Sequence, residues 1–160
     1  MLTFAVTYIT GQEWRVLHIA AGYAALALIS ARIVWGVAGT KYARFSQFVK
    51  PPALVAVYMR DVVGKREARH LGHNPAGGAM MVALLILLVA VSCSGVLLTS
   101  DAFWGSETMD TIHGTLAGIT LACIAVHVLG VIFTSIRTRE NLIWSMIKGR
   151  KRGPDGGDVV

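Results

Sequence analysis

Residues 111–136 read TIHGTLAGITLACIAVHVLGVIFTSI and contain no Asp, Glu, Lys or Arg. A membrane-spanning helix needs about 20 apolar residues, so this stretch is long enough to cross a bilayer. Two histidines interrupt it, His113 and His127. Ionisable groups inside a membrane helix are costly and are usually there for function. The stretch therefore predicts both a membrane span and the residues of a site.

The spacing of the two histidines indicates what kind of site this is. They are fourteen residues apart, which on a helix corresponds to about 21 Å along the axis. At about 100° per residue, the second histidine returns to within roughly 40° of the face that carries the first. One histidine thus lies near one membrane surface and the other well toward the opposite one. This layout suits a helix that donates one axial ligand to each of two stacked haems.

The composition places the rest of the chain in the membrane as well. Of the 160 residues, 54% are hydrophobic and 15% are charged, whereas soluble domains carry about 25% charged residues. Two further apolar runs, 17–37 and 76–99, are long enough to be complete spans. Residues 1–9 are apolar but too short to span, and they predict the last turns of a helix whose beginning is absent. We expect an all-α integral membrane helical bundle over 1–152, with three complete transmembrane helices, and a disordered tail over 153–160.

The distribution of charge predicts the orientation of the bundle. The loop 38–75 contains seven Lys or Arg residues, and the region 137–160 is also basic, whereas residues 100–110 contain three carboxylates and no Lys or Arg. The positive-inside rule places the two basic regions, and hence the C-terminus, in the cytoplasm. Within the loop, residues 52–63 predict a short amphipathic helix along the membrane surface. The formal net charge of +6 therefore indicates contact with lipid head groups, and not nucleic acid.

With this orientation, His18 and His113 lie at the same outer depth on antiparallel spans. A low-spin haem b needs two axial ligands, and histidine is commonly used for both. Gly22 follows His18 by four residues, and Gly114 and Gly118 follow His113. A glycine leaves room for a flat macrocycle to approach the helix. The alternative is that two interior histidines bond across helices and the glycines serve packing alone.

Three other polar residues are candidates for a second site or for the edges of the first. His127 lies at the depth of an inner haem, and its missing partner would come from the helix of which residues 1–9 are the remnant. Arg32 lies at about the same depth and either pairs with a propionate of that haem or snorkels to the interface. Arg15, just outside His18, is the equivalent candidate for the outer haem. The sequence has no C-x-x-C-H motif, which excludes covalent c-type attachment.

A family resemblance rests on several short stretches spread over residues 10–152. They are LHIAAGY at 17–23, RIVWGVAG at 32–39, ARF at 43–45, LGHNPAGG at 71–78, HVLG at 127–130 and RENL at 139–142. Together they resemble the bacterial cytochrome b561 family, which includes the b-type cytochrome subunit of nickel–iron hydrogenases. Residues 1–9 would then correspond to the end of the family's first helix.

The resemblance implies a four-helix bundle in the bacterial inner membrane that holds haem b. His18 and His113 would ligate the outer haem, and His127 would ligate one face of a second, inner haem. Electrons would pass between the quinone pool and a redox partner, either a cytochrome c or a dehydrogenase or hydrogenase subunit. Two alternatives stay open: a superoxide oxidase-type enzyme that reduces quinone, and a non-haem membrane anchor subunit. The acidic residues of 100–110 argue mildly against the cationic funnel that a superoxide oxidase would use.

Overall fold

The computed structural model describes residues 2–11, 13–40, 43–68, 70, 74–138, 141–142 and 144–145. Among these residues the regular elements with assigned bounds are six helices. They are α1 (Leu2–Thr10), α2 (Arg15–Ala38), α3 (Phe45–Phe48), α4 (Pro52–Val63), α5 (Pro75–Leu98) and α6 (Glu107–Thr138). The predicted tail over 153–160 lies outside the described residues.

Three of the helices, α2, α5 and α6, are long and apolar enough to cross a membrane. Lipid offers no hydrogen-bond partner to the backbone, and a helix satisfies its own N–H and C=O groups internally. Large apolar side chains such as Leu28, Ile86 and Leu129 are exposed on these helices, as expected where the surrounding solvent is lipid. The expectation of an all-α membrane helical bundle is confirmed, and the protein is a multi-pass membrane protein.

The helices that cross the membrane differ from the predicted spans mainly at the start of α6. The apolar run of the sequence begins at residue 111, so Glu107 and Asp110 were expected in the connection before it, whereas the structure places both in the first turn of the helix. The Ser106 hydroxyl accepts a hydrogen bond from the backbone N–H of Met109 at 3.3 Å, and so serves as the N-cap. Carboxylates in the first turn also interact favourably with the partial positive charge of the helix N-terminus. These two effects extend the helix beyond the apolar run.

The chain forms two compact units, and each is described by itself. The first comprises Met1–Gly39 and Ala83–Ala122, and the second comprises Thr40–Val82 and Cys123–Val160. In the first unit, α1 packs against α2 as a helical hairpin. Gly11 N–H donates to the Thr7 carbonyl and Trp14 N–H donates to the Thr10 carbonyl, so the hairpin turn continues the hydrogen bonds of α1. The buried side chains of this unit are Phe4, Ala25, Ile29, Leu84, Val91, Ser94 and Thr120.

In the second unit, α3 lies close against the start of α5. Phe48 of α3 is only 2% exposed, and a Cβ atom added at Gly78 of α5 would overlap the Phe48 carbonyl oxygen. The glycine therefore permits a backbone-to-backbone approach that a larger residue would prevent.

The second unit also contains a salt bridge at the end of α6. The Nε atom of Arg137 lies 2.7 Å from one carboxylate oxygen of Glu67, and its Nη2 atom donates to the other at 3.0 Å. This bidentate geometry is the strong form of an arginine–carboxylate pair. It holds the segment that follows α4 against the last turn of α6. Helix α4 itself occupies residues 52–63 as expected, and its orientation along a membrane surface stays a prediction.

Candidate functional site

His18 and His113 come together in the first unit. His18 lies in the first turn of α2 and His113 lies in the second turn of α6. Their ring centroids are 6.1 Å apart, and the ring planes are inclined at 79°. Two residues that are 95 positions apart in the sequence therefore present their imidazoles to the same space.

A hydrogen bond to α1 determines which nitrogen of His18 is available. The Nδ1 atom lies 2.8 Å from the Thr7 carbonyl oxygen. A carbonyl oxygen can only accept a hydrogen bond, so Nδ1 carries the proton and donates it. In the neutral ring, Nε2 is then unprotonated and has a lone pair to offer to a metal ion.

A hydrogen bond to Ser94 of α5 determines which nitrogen of His113 is available. The Ser94 hydroxyl donates to the Val91 carbonyl at 2.9 Å, and its oxygen lies 2.9 Å from Nδ1 of His113. A hydroxyl has one proton to donate. Since that proton is already directed to Val91, the Ser94 oxygen accepts from the Nδ1–H of His113. The Nε2 atom of His113 is therefore the unprotonated nitrogen as well.

The distance between the two rings fits a shared metal ion. A metal–imidazole nitrogen bond is about 2 Å long, so two imidazoles on opposite sides of one ion have centroids about 6 Å apart once the ring radius is added. The observed separation is 6.1 Å. Histidine ligands of metals almost always donate their second ring N–H to a carbonyl, carboxylate or similar acceptor, and both rings here do so. The residues present thus fit a haem iron with two histidine ligands.

A cavity of about 690 Å³ surrounds the two histidines within the first unit. Its size falls in the range of about 300–1,000 Å³ that is usual for small-molecule and cofactor sites. Gly22 and Gly114 line it, and a Cβ atom added at either would meet nothing within 4 Å. The space beside these glycines is therefore open. Gly118, which the sequence suggested as a second glycine of the site, has the same open surroundings but is not one of the residues that line this cavity.

Charged and aromatic groups also line the cavity. Arg15, Glu107 and Asp110 are among the lining residues, as is Trp104. The guanidinium carbon of Arg15 lies 4.4 Å from the centroid of the Trp104 ring, a distance at which a cation is attracted to the ring face. The lining charge is thus mixed in sign.

A comparison with models of protein families identifies the family of the chain. The family model for prokaryotic cytochrome b561 matches residues 1–149 of the chain. The chain belongs to the prokaryotic cytochrome b561 family. Comparison of this cytochrome with curated proteins and with solved structures returns no match. Family membership makes it a membrane b-type cytochrome that carries electrons and binds haem b.

Two residues next to His113 in the cytochrome were not recognised from the sequence as part of the site. Ser94 supplies the hydrogen-bond acceptor, and Gly95 supplies the space, since a Cβ atom there would lie 3.1 Å from Cε1 and 3.6 Å from Nδ1 of His113. Both are small residues near the end of α5, a type of residue that close helix packing alone would also explain. Their position a few residues before a short connection, with His113 a few residues after it, is the signal that could have identified them.

The Gly95→Ala variant is expected to weaken haem binding. The added methyl group would push the His113 ring by a few tenths of an ångström, because the contact at 3.1 Å is too short. We expect about a 10-fold loss of haem affinity, the lower end of the cost of losing a supporting contact to a metal ligand. Titration of haem into the apoprotein measures this loss. The control is Gly130→Ala in α6, where the added Cβ meets nothing within 4 Å; equal affinities for the two variants would contradict the proposed role of Gly95.

The other candidate ligands and cations of the cytochrome are not among the residues that line this cavity. His127 belongs to the second unit, and Arg32 lies half-buried toward the end of α2, not among the residues lining the cavity. His70 packs edge-on against Tyr58, with ring centroids 5.5 Å apart, and its Nδ1 lies 3.0 Å from the Ala68 carbonyl. Burial, and then the nearby Glu67 carboxylate, raise the pKa of Tyr58 above its usual value.

Proposed function

We propose that this cytochrome carries electrons across the membrane through a haem b whose iron is ligated by His18 and His113. The observation that supports this most strongly is the pair of imidazoles with ring centroids 6.1 Å apart. Each ring has its Nδ1 in a hydrogen bond, which leaves Nε2 for the iron. Random interior histidines would not be expected to combine this separation with the same tautomer and a cavity of cofactor size.

The haem, when bound, supplies a low-spin iron that cycles reversibly between two oxidation states. The chain supplies the rest. His18 and His113 would ligate the iron through Nε2. The Thr7 carbonyl and the Ser94 hydroxyl accept the Nδ1–H groups, and so keep both rings in the tautomer whose Nε2 is unprotonated. The glycines beside the cavity leave room for the macrocycle. Arg15, a cation that lines the cavity, is suited to pair with a propionate.

A second haem would complete a path across the bilayer. His127 is proposed as one of its ligands, because its helical spacing from His113 is about 21 Å along the axis, and Arg32 is proposed as a partner for one of its propionates. With the orientation that the positive-inside rule predicts, electrons would pass between a redox partner protein at one face and the quinone pool. The C-terminus would lie in the cytoplasm of a bacterium, and the protein in its inner membrane.

The carrier role is preferred to a superoxide oxidase because of the charges in the cavity. An enzyme that attracts the superoxide anion benefits from a uniformly cationic approach. Here Glu107 and Asp110 line the same cavity as Arg15. The two carboxylates would repel an anion at the place where it has to enter.

Spectra of the purified protein test the proposal. We expect a reduced-minus-oxidised difference spectrum with the α band of a low-spin b haem, and absence of that band would leave the non-haem anchor subunit as the better explanation. The ratio of haem to protein then counts the sites: a ratio of two supports the His127 haem, and a ratio of one contradicts it. Rapid mixing with superoxide separates a carrier, which should show no saturable turnover, from an oxidase.

A further inference from the structure

We propose that Ser94 is a positioning residue that sets the reduction potential of the haem through His113. This inference rests on the proposed function, since it requires that His113 ligate the iron. In this role Ser94 acts through His113 and does not itself contact the haem. Its hydroxyl oxygen accepts a hydrogen bond from the Nδ1–H of His113. The strength of that hydrogen bond determines how strongly Nε2 donates electrons to the iron.

The direction of the Ser94–His113 hydrogen bond follows from the other bond that Ser94 makes. Its single hydroxyl proton is directed to the Val91 carbonyl at 2.9 Å. The lone pairs of the oxygen are then left to accept from His113, at 2.9 Å. A hydroxyl that is itself donating becomes a better acceptor, because hydrogen bonds in a chain polarise one another. Ser94 is 5% exposed, so water has little access to compete for the Nδ1 proton.

Comparison with the neighbouring hydroxyls shows that the bond to His113 is not a by-product of helix geometry. Thr99 and Ser100 follow at the end of α5, and their hydroxyls donate to the carbonyls three residues earlier at 2.8 and 2.6 Å. Serine and threonine in helices commonly make such local bonds. Among these three residues, Ser94 is the one whose oxygen also accepts from an imidazole. What distinguishes it is therefore the imidazole partner, since the second partner of Thr99 is the hydroxyl of Tyr23 at 3.3 Å.

The other histidine has a different kind of acceptor. The Thr7 carbonyl that receives Nδ1–H from His18 also receives the N–H of Gly11 at 3.2 Å. A backbone carbonyl cannot be removed by a side-chain substitution. Ser94 is thus the place where a change of side chain in this chain can alter the donor strength of an axial ligand without changing the ligand itself.

The sign of the effect follows from the ligand chemistry. Accepting the Nδ1 proton makes the imidazole a more basic ligand, and a more basic ligand stabilises the ferric state relative to the ferrous state. Ser94 therefore lowers the reduction potential. Loss of its hydroxyl is expected to shift the midpoint potential to a more positive value, with the iron still low-spin and still ligated by both histidines.

The test uses an isosteric pair of substitutions in the full-length holoprotein. Ser94→Thr keeps the hydroxyl and Ser94→Val replaces it with a methyl group of nearly the same shape, so both add the same bulk to the buried site. Redox titration followed by the α band gives the midpoint potential, and haem extraction gives the occupancy. We expect the valine variant to have the more positive potential and the threonine variant to stay near the wild-type value. Ser100→Ala, which removes a local helix bond without an imidazole partner, should leave the potential unchanged.

Equal potentials and equal haem occupancies in Ser94→Thr and Ser94→Val would overturn the inference. Haem loss in the valine variant alone would also overturn it, because the hydroxyl would then be needed to bind the haem and not to set its potential. These outcomes are distinct from failure of the proposed function. If the wild-type protein bound no haem, the function itself would be wrong. If it bound low-spin haem and the pair of variants behaved alike, only the role of Ser94 would be wrong.

Discussion

The His113→Ala variant is expected to lose the haem of the first unit. His113 would supply one of the two nitrogen ligands, and its ring centroid lies 6.1 Å from that of His18, so its truncation would leave the iron with one of the two. Mutation of a residue that only hydrogen-bonds to a metal ligand typically lowers metal affinity by about 10–100-fold. We expect loss of the ligand itself to exceed about 100-fold. The measurement is haem content per chain after purification, together with the reduced-minus-oxidised spectrum.

His18→Ala should behave in the same way, because the two rings would share one iron. The control is His70→Ala, which removes an imidazole that packs on Tyr58 and lies outside the cavity lining. It should retain the haem content and the spectrum of the wild-type protein. An unaltered spectrum in both His18→Ala and His113→Ala would show that these residues do not ligate the haem.

The Gly78→Ala variant is expected to have the largest effect on stability. A Cβ atom there would overlap the carbonyl oxygen of Phe48, which belongs to the backbone and cannot rotate away. Phe48 is 2% exposed, so α3 cannot move outward without exposing a buried aromatic ring. Overpacking of this kind costs about 1–3 kcal/mol and occasionally more, and we expect a value near about 3 kcal/mol. Thermal unfolding in detergent, followed by loss of helical circular dichroism, measures the effect.

Gly130→Ala provides the control for this substitution. It makes the same chemical change inside a helix, but the added Cβ meets nothing within 4 Å. Alanine is a better helix former than glycine by about 1 kcal/mol, so this variant should be as stable as the wild-type protein or more stable. If Gly78→Ala unfolded at the same temperature as Gly130→Ala, the close approach of α3 to α5 would not exist in solution.

The three long helices could be predicted because lipid imposes a simple rule. A segment that crosses the membrane has to be apolar and has to satisfy its own backbone, and both conditions are visible in the sequence runs. The same rule made His18 and His113 conspicuous, since ionisable side chains are expensive there. The beginning of α6 was predicted less well. Glu107 and Asp110 are helical because of a cap and a favourable interaction with the helix terminus, and these local effects do not depend on hydropathy.

The fold class, the approximate extent of each span and the importance of His18 and His113 could be predicted from the amino acids alone, because burial in lipid depends on composition and helical spacing. The groups that lie beside those histidines are visible only in the folded chain: the Thr7 carbonyl against one ring, and the Ser94 hydroxyl and the Gly95 backbone against the other. These contacts join segments that are 11 and 19 residues apart. They depend on how the helices are rotated about their axes and on which small residue comes to face an imidazole. Hydropathy cannot specify that rotation, because Ser94 and Gly95 would serve equally well as packing residues on any face of α5.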